Sequence, residues 1–184
     1  MFPRSPAIFG TMALIAAVVV APFGAVMAQG APSHGHLIPQ ALLLQQKETI
    51  EQLSGLGQKR APVGPAASKV LVLMKRHMER EREFILPPLT LLPLLADGKV
   101  TSDMAWALPM TDRVKAEREQ IFEEHTQITE ALNELIVAAT RTHDNTAREF
   151  TQSAAADSLE DLEILEPALL LIGDTLRAKL PAGH

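Results

Sequence analysis

Apolar residues return at helical spacing through most of the chain after residue 36. Val70, Leu73, Met74, Phe84 and Ile85, for example, fall on a single helical face, and no run of the sequence alternates β-branched and polar residues between turn signals. A period near 3.6 residues is typical of an amphipathic α-helix, whereas alternation is typical of a strand. The pattern therefore predicts an all-α fold.

Start and stop signals divide the chain into four main helices. We place them at about 37–56, 67–86, 111–140 and 145–179. Gly57 closes the first helix, Pro87 and Pro88 end or kink the second, and Asp144 is suited to cap the fourth. Because the connections are short, sequential helices should be antiparallel, which predicts an up-down-up-down four-helix bundle.

The apolar faces of these helices also carry polar residues. His77 and Glu81 are four residues apart, so they lie one turn apart on the face that contains Val70 and Phe84. The full set of inward polar residues is His36, His77, Glu81, His125, Asp157 and Asp161. Because burying an unpaired carboxylate is costly, these positions need a cation, and a metal ion is one way to supply it.

Helices two and four end in the same sequence unit. Residues 81–89, EREFILPPL, align without a gap with residues 161–169, DLEILEPAL, and both units begin with a carboxylate and have proline at the seventh position. His77 and Asp157 occupy matching positions four residues before each unit. Each unit is also preceded by a helix with one inward histidine, His36 or His125, so the repeat indicates a site built from two similar halves.

These residues resemble the hemerythrin-like HHE cation-binding family. His77-Met-Glu-Arg-Glu81, followed by Pro87, is similar to the second helix of that family. His125 in Glu-Glu-His-Thr-Gln-Ile is similar to its third helix, and His36 to its first more loosely. The fourth helix departs from the family, since its two motif positions carry aspartate where the family has histidine and glutamate. The resemblance covers nearly all of residues 29–184.

The resemblance implies a non-haem di-iron centre inside a four-helix bundle, with manganese or zinc as alternatives to iron. The ligands carried over by position are His36, His77, Glu81, His125, Asp157 and Asp161. In such a centre the carboxylates bridge two metals and each histidine binds terminally. Family members that carry dioxygen reversibly have a histidine pair on the third helix, whereas Ile121 and Thr129 flank His125 here. We therefore expect metal binding, or sensing and scavenging of dioxygen, nitric oxide or peroxide, rather than oxygen transport.

Composition narrows the chemistry of any such site. The chain has no cysteine and no tyrosine, which excludes disulfides, thiolate zinc sites, iron–sulfur clusters and tyrosyl radicals. Any metal must therefore be held mainly by imidazole and carboxylate groups. The net charge is −5, and it becomes −6 without Arg4, which is the single charged residue of positions 1–28. An acidic chain of this kind is a poor candidate for binding nucleic acid or anionic membrane surfaces.

The first 28 residues predict a secretory signal peptide. Arg4 supplies a positive start, residues 12–20 an apolar core, and Ala28 a small residue suited to a cleavage site. The apolar run is short for a membrane span, and an uncleaved anchor is the alternative. We expect residues 1–28 to be removed and residues 29–184 to form one hemerythrin-like domain, which is periplasmic or secreted and has no membrane contact.

Each candidate ligand also has a structural interpretation. His77 and Glu81 can form a buried salt link, and His125 can be a core histidine bonded to a carbonyl or a carboxylate. The two aspartates of the fourth helix can belong to a solvated acidic face, and His34 can take the place of His36. Two other functions stay open accordingly. One is a di-iron oxidase or peroxidase, and the other is a metal-free structural bundle with a decayed site.

Overall fold

The computed structural model describes residues 37–181. Within this range the chain is helical apart from the turns that connect its helices, and it forms no strand. The predicted all-α fold is therefore confirmed for this part of the chain. The predicted signal peptide, residues 1–28, and the predicted ligand His36 lie outside the described residues.

Seven α-helices follow one another between residues 37 and 181. They are α1 (Gln40–Gly57), α2 (Val63–Arg80), α3 (Leu92–Ala96), α4 (Ala107–Ala116), α5 (Arg118–Arg141), α6 (Asn145–Glu160) and α7 (Glu166–Lys179). Two short 3-10 helices, Pro87–Leu91 and Ser102–Trp106, lie before and after α3. None of these helices combines the length and the apolar character that a membrane span requires.

Two differences between the predicted and the observed helix boundaries concern α2 and the predicted third helix. α2 begins at Val63, within the stretch that we expected to be a linker before residue 67. The predicted third helix is two helices, because the backbone leaves the helical conformation at Glu117, where φ is −99° and ψ is 16°. The predicted cap of α6 is confirmed, since the side chain of Asp144 accepts a hydrogen bond of 3.1 Å from the N–H of Ala147.

The repeated sequence unit adopts the same unusual backbone twice. α2 and α6 each continue directly into a π-helical turn, Glu81–Ile85 and Asp161–Leu165 respectively. The N–H of the sixth residue of each unit donates to the carbonyl of the first, with a distance of 2.7 Å between Leu86 and Glu81. The proline at the seventh position of each unit has no N–H to donate. The chain continues as the 3-10 helix Pro87–Leu91 after the first π turn and as α7 after the second. π turns of this kind occur frequently at functional sites.

The helices pack around two hydrophobic cores. α1 packs against α2, α2 against α5 and α5 against α6, whereas α4 packs against α7. The first core is formed by α1, α2, α5 and α6, and its buried side chains include Leu53, Val70, Ile128, Leu132 and Leu135. The second core is formed mainly by the first π turn, α4 and α7, and its buried side chains include Phe84, Leu86, Val114, Leu169 and Leu176.

The helical period also predicts two apolar residues, Phe122 and Ile164, on inward faces, but both are exposed in the structure. Phe122 is 61% exposed and Ile164 is 57% exposed. Phe122 directly follows the buried residue Ile121, so it projects about 100° further around the helix. Ile164 lies in the second π turn, where the wider winding shifts side chains out of the α-helical register. Both errors come from small differences in register rather than from the choice of helix.

Candidate metal centre

Three of the six predicted ligands come together in the structure. His77, His125 and Asp161 each offer a ligand atom, and these atoms lie within 4.8 Å of one another. The rings of the two histidines have their centroids 4.5 Å apart and are nearly perpendicular, at 77°. His77 comes from α2, His125 from α5 and Asp161 from the π turn after α6. The group therefore joins three separate helical segments.

The group lies where these segments pass from one hydrophobic core to the other. Along α5, Ile121 belongs to the second core and Ile128 to the first, and His125 lies between them. His77 likewise lies along the chain between Val70 of the first core and Phe84 of the second. Asp161 lies between Ala154 of the first core and Leu169 of the second. Apolar residues thus surround the polar group on both sides, which lowers the local dielectric and strengthens charge interactions there.

His77 is the most enclosed member of the group, with 4% of its surface exposed. Its Nδ1 lies 3.4 Å from Oε2 of Glu124, and its Nε2 lies 3.4 Å from Oε1 of Glu81. Nε2 makes no hydrogen bond to any described residue. Burial lowers the pKa of His77, but the carboxylates of Glu81 and Glu124 outweigh that effect, so the pKa is raised. An unsatisfied nitrogen of this kind costs about 1–3 kcal/mol. A metal ion that binds there must displace the proton that the raised pKa favours, because the neutral imidazole is the form that binds metals.

His125 has a different environment. Its Nδ1 lies 2.8 Å from the hydroxyl of Ser158, so Nε2 is the ring nitrogen that stays available to a ligand. Burial, together with the neighbouring His77, lowers the pKa of His125 to about 4. At neutral pH the imidazole is therefore uncharged, which is the form that binds metals.

Asp161 supplies the acid of the group. Burial, followed by the negative charge of Glu81, raises the pKa of Asp161 to about 7. A carboxylate in such a site is poorly stabilised when it ionises without a cation. A bound metal would reverse that penalty, because a positive charge favours the ionised form.

Glu81 lies beside the group and is held by α1. Its side chain is buried, and Oε2 accepts a hydrogen bond of 2.7 Å from the amide Nε2 of Gln46. The amide oxygen of Gln46 in turn accepts a hydrogen bond of 2.6 Å from Nε of Arg82. The carboxylate is therefore fixed from one side by an amide whose own orientation is set by an arginine.

Sequence reasoning missed three residues that contact the candidate ligands. They are Gln46, Glu124 and Ser158. Glu124 is three residues after Ile121 and four before Ile128, so the helical period that identified His125 also places it inward. Its buried carboxylate accepts a hydrogen bond from Arg80, and Arg80 also donates to Glu117 at 2.5 Å.

Asp157 does not join the group of donors. Asp157 is half-buried and lines the cavity beside the group, but it is not among the residues whose ligand atoms lie close together. His36 lies outside the described residues. Both stay predictions from the sequence resemblance.

The group lies between two cavities. A cavity of about 50 Å³ is lined by the candidate ligands together with apolar residues such as Met74, Met78 and Ile128. It shares Gln45, Thr49, Ala154 and Asp157 with a larger groove of about 300 Å³ between α1 and α6. A second cavity of about 20 Å³ lies on the side of α7. Since a water molecule needs roughly 10–15 Å³ measured in this way, the first cavity has room for only a few small molecules.

The donor atoms suit a transition metal. Two imidazoles with a carboxylate are typical ligands of iron, manganese and zinc, whereas calcium prefers oxygen alone. No family model matches the chain, and no curated protein or solved structure matches it significantly. The group of His77, His125 and Asp161 is a candidate metal centre on its own geometry.

Proposed function

We propose that this chain is an exported, hemerythrin-like protein that holds a non-haem metal centre inside an up-down-up-down four-helix bundle. The bundle is formed by α1, by α2 with its π turn, by α4 with α5, and by α6 with α7. Iron is the metal we favour, with manganese and zinc as alternatives. The role we propose is binding or sensing of the metal, or scavenging of dioxygen, nitric oxide or peroxide.

One observation carries the proposal. The Nε2 atom of His77 is buried without a hydrogen-bond partner among the described residues, and it belongs to a group that also contains His125 and Asp161. Oε1 of Glu81 lies 3.4 Å from Nε2, which is within ion-pair distance when the imidazole is protonated, but the two atoms form no hydrogen bond. A metal ion supplies both a partner for the nitrogen and a counter-charge for the acid.

The residues present fit an iron ion. Two imidazoles and one carboxylate are the donor set of many non-haem Fe(II) centres, which keep open positions for small molecules. When bound, the iron would supply electron transfer to such a molecule. The protein would hold the ion through His77, His125 and Asp161, while apolar residues of the two cores limit the access of water.

The size of the adjacent cavity supports a small molecule rather than an organic substrate. About 50 Å³ accommodates dioxygen, nitric oxide or peroxide, and a larger substrate would have to extend into the groove between α1 and α6. A di-iron oxidase or peroxidase that acts on such molecules is the alternative function. A metal-free structural bundle is the second alternative.

Metal analysis of the purified protein tests the proposal. The wild-type protein should retain iron or take up added Fe(II), Mn(II) or Zn(II), and its Tm should rise with metal concentration because the ion binds only the folded state. His77→Ala and His125→Ala should each abolish tight binding. His143→Asn is the matched control, since His143 is exposed and its φ of 54° is tolerated by asparagine.

The outcomes separate the alternatives. A wild-type protein that binds no metal and melts at the same temperature with or without added ions would contradict the proposal and favour the structural bundle. Catalytic formation of product from peroxide or dioxygen would favour the enzyme. Export is tested separately by sequencing the amino terminus of the protein recovered outside the cytoplasm, which should begin near Gln29.

A further inference from the structure

We infer that metal ions enter the centre through the groove between α1 and α6, where the carboxylates of Glu48 and Asp157 attract the ion and Asp157 delivers it. This inference rests on the proposed function and gives the centre an entry path. It assigns Asp157 a role in loading, which differs from the role of ligand that the sequence resemblance implies.

The groove follows from the way in which the helices pack. α1 packs mainly against α2, and α6 packs mainly against α5, so α1 and α6 make little contact with each other. The space between them measures about 300 Å³. Gln45, Thr49, Ala154 and Asp157 line both this groove and the inner cavity, which His77 also lines. The groove therefore continues into the cavity that contains the candidate ligands.

The lining of the groove suits a divalent cation. Among residues 37–181, the charged side chains that line it are the carboxylates of Glu48 and Asp157. A cleft lined by charges of one sign raises the local concentration of the opposite ion and speeds its association. The groove is also lined by side chains with amide and hydroxyl oxygens, such as Gln45, Thr49 and Ser153. Oxygens of this kind can replace water around a divalent ion as it moves inward.

Asp157 lies at the junction of the groove and the inner cavity. The backbone N–H of Asp161 donates to the carbonyl of Asp157, so the two carboxylates lie one turn apart on the same face of the helix. After burial and the charge of Glu81, the charge of Asp157 is a further cause of the raised pKa of Asp161. An ion held by Asp157 is therefore close to the centre, where Nε2 of His77 is buried without a hydrogen-bond partner among the described residues.

The cavity on the side of α7 is a less favourable entrance for a cation. It measures about 20 Å³, and Glu166 lines it together with the candidate ligands. Glu166 forms an ion pair with Arg118, whose side chain is exposed. A guanidinium at this side of the molecule repels an approaching metal ion, whereas the carboxylates of the groove attract one.

The rate of metal uptake tests the inference without relying on any activity. Metal-free protein is mixed with Co(II) in a stopped-flow instrument, and visible absorption follows the formation of the bound complex. We expect Asp157→Asn to slow uptake by about 10-fold, at the lower end of the range for electrostatic steering. Glu48→Gln should slow it less, because Glu48 is exposed and its charge is screened by salt. The controls are Glu149→Gln and Glu51→Gln, which remove exposed charges from α6 and α1 outside the groove.

A steric variant tests the path itself. Ser153→Phe adds bulk at an exposed position that lines the groove, and it removes neither a charge nor a candidate ligand. Uptake and release should both become slower while the Kd for Co(II) stays the same, because the ion leaves by the path through which it enters. Gln152→Phe is the control, since it adds the same bulk at the neighbouring exposed position outside the groove.

The outcomes distinguish the entry path from the proposed function. If folded Asp157→Asn or Ser153→Phe takes up Co(II) as fast as its control, the inference is wrong and the proposed function stands. Faster release from Asp157→Asn with unchanged uptake would identify Asp157 as a ligand and would also overturn the inference. Wild-type protein that retains no Co(II) would overturn both. Circular dichroism checks the fold of each variant, and Glu48→Gln decides if Asp157→Asn does not fold.

Discussion

Nδ1 of His77 lies 3.4 Å from one oxygen of Glu124, and the other oxygen of Glu124 accepts a hydrogen bond from Arg80. The carboxylate is thus held between a guanidinium and an imidazole. A carboxylate on one ring nitrogen fixes the proton there and makes the other nitrogen a better metal ligand. Glu124 would therefore position His77 for an ion without contacting the ion itself.

Replacing Glu124 should weaken metal binding. Glu124→Gln is expected to raise the dissociation constant for Zn(II) by about 10- to 100-fold, as loss of such partners does elsewhere. Glu123→Gln is the control, since the neighbouring side chain is exposed and loses the same charge. Competition with a chromophoric chelator measures both constants. Equal affinities for the two variants would show that Glu124 does not position His77.

Asp161 should make the stability of the metal-free protein depend on pH. Burial, and then the charge of Glu81, raises its pKa to about 7. A carboxyl group with a raised pKa contributes its full stability below the pKa of the unfolded chain, near 4, and this contribution is lost as the pH rises through about 7. The wild-type protein should therefore lose stability between these values when chelator is present.

In the Asp161→Asn variant the side chain at this position cannot ionise, so the variant should not lose stability as the pH rises from about 4 to about 7. At about pH 8 the metal-free variant should be more stable than the wild type by at most about 4 kcal/mol, since one pKa unit corresponds to about 1.4 kcal/mol. The difference should disappear near pH 4, and tight metal binding should be lost at every pH. Urea unfolding across this range measures the effect, with Asp103→Asn as an exposed control. A difference that is independent of pH would contradict the assignment.

α4 and α7 approach each other closely at Gly173. A β-carbon there would lie 2.6 Å from Oγ1 and 2.9 Å from Cβ of the buried Thr111. Gly173→Ala should destabilise the protein by about 1–3 kcal/mol through overpacking, although alanine favours the helix by about 1 kcal/mol. Gly55→Ala meets no atom within 4 Å and should stabilise by up to about 1 kcal/mol. Denaturant unfolding of both variants should give opposite signs, and equal signs would contradict the close approach.

Asp144 caps α6 and pairs with Lys59 at 2.5 Å. The ammonium of Lys59, and then the backbone N–H of Ala147, lower the pKa of Asp144. Asp144→Ala should cost about 1 kcal/mol, whereas Asp144→Asn keeps a good cap and should cost less. Because the pKa is lowered, the contribution of the charge is present above the pKa of the unfolded chain and is lost as the pH falls through the folded value. Melting curves of both variants at neutral and acid pH measure these losses. Equal losses of stability for Asp144→Ala and Asp144→Asn at neutral pH would contradict the capping role of Asp144.

Helical periodicity predicted more of the candidate site than of the helix boundaries. The 3.6-residue period placed His77, His125 and Asp161 on inward faces, and the structure brings them together. The same period could not predict the helix break at Glu117. The carboxylate of Glu117 accepts hydrogen bonds from Arg80 and Arg113, which lie on two different helices. Contacts between distant segments decide such breaks, and a local pattern does not contain them.

The residues around the ligands were harder to predict for a related reason. Gln46 and Ser158 lie on inward faces, but their importance depends on which atom of a distant helix each side chain meets. The sequence repeat likewise matched Asp157 with His77, although the structure leaves Asp157 outside the close group. Matching positions in a sequence repeat lie at the same point along their helices. Which neighbours their side chains contact depends on how each helix is rotated about its own axis.

The group of His77, His125 and Asp161 lies between the two hydrophobic cores, and this position has a consequence for local unfolding of the protein. Because the two cores are separate clusters, the region around Leu53 and Leu132 and the region around Leu169 and Leu176 are expected to loosen as separate units in the metal-free chain. An ion bound to His77, His125 and Asp161 would contact three segments that run through both regions. With metal bound, the two regions would then unfold together rather than separately. The rate of amide hydrogen exchange would fall in both regions at the same metal concentration.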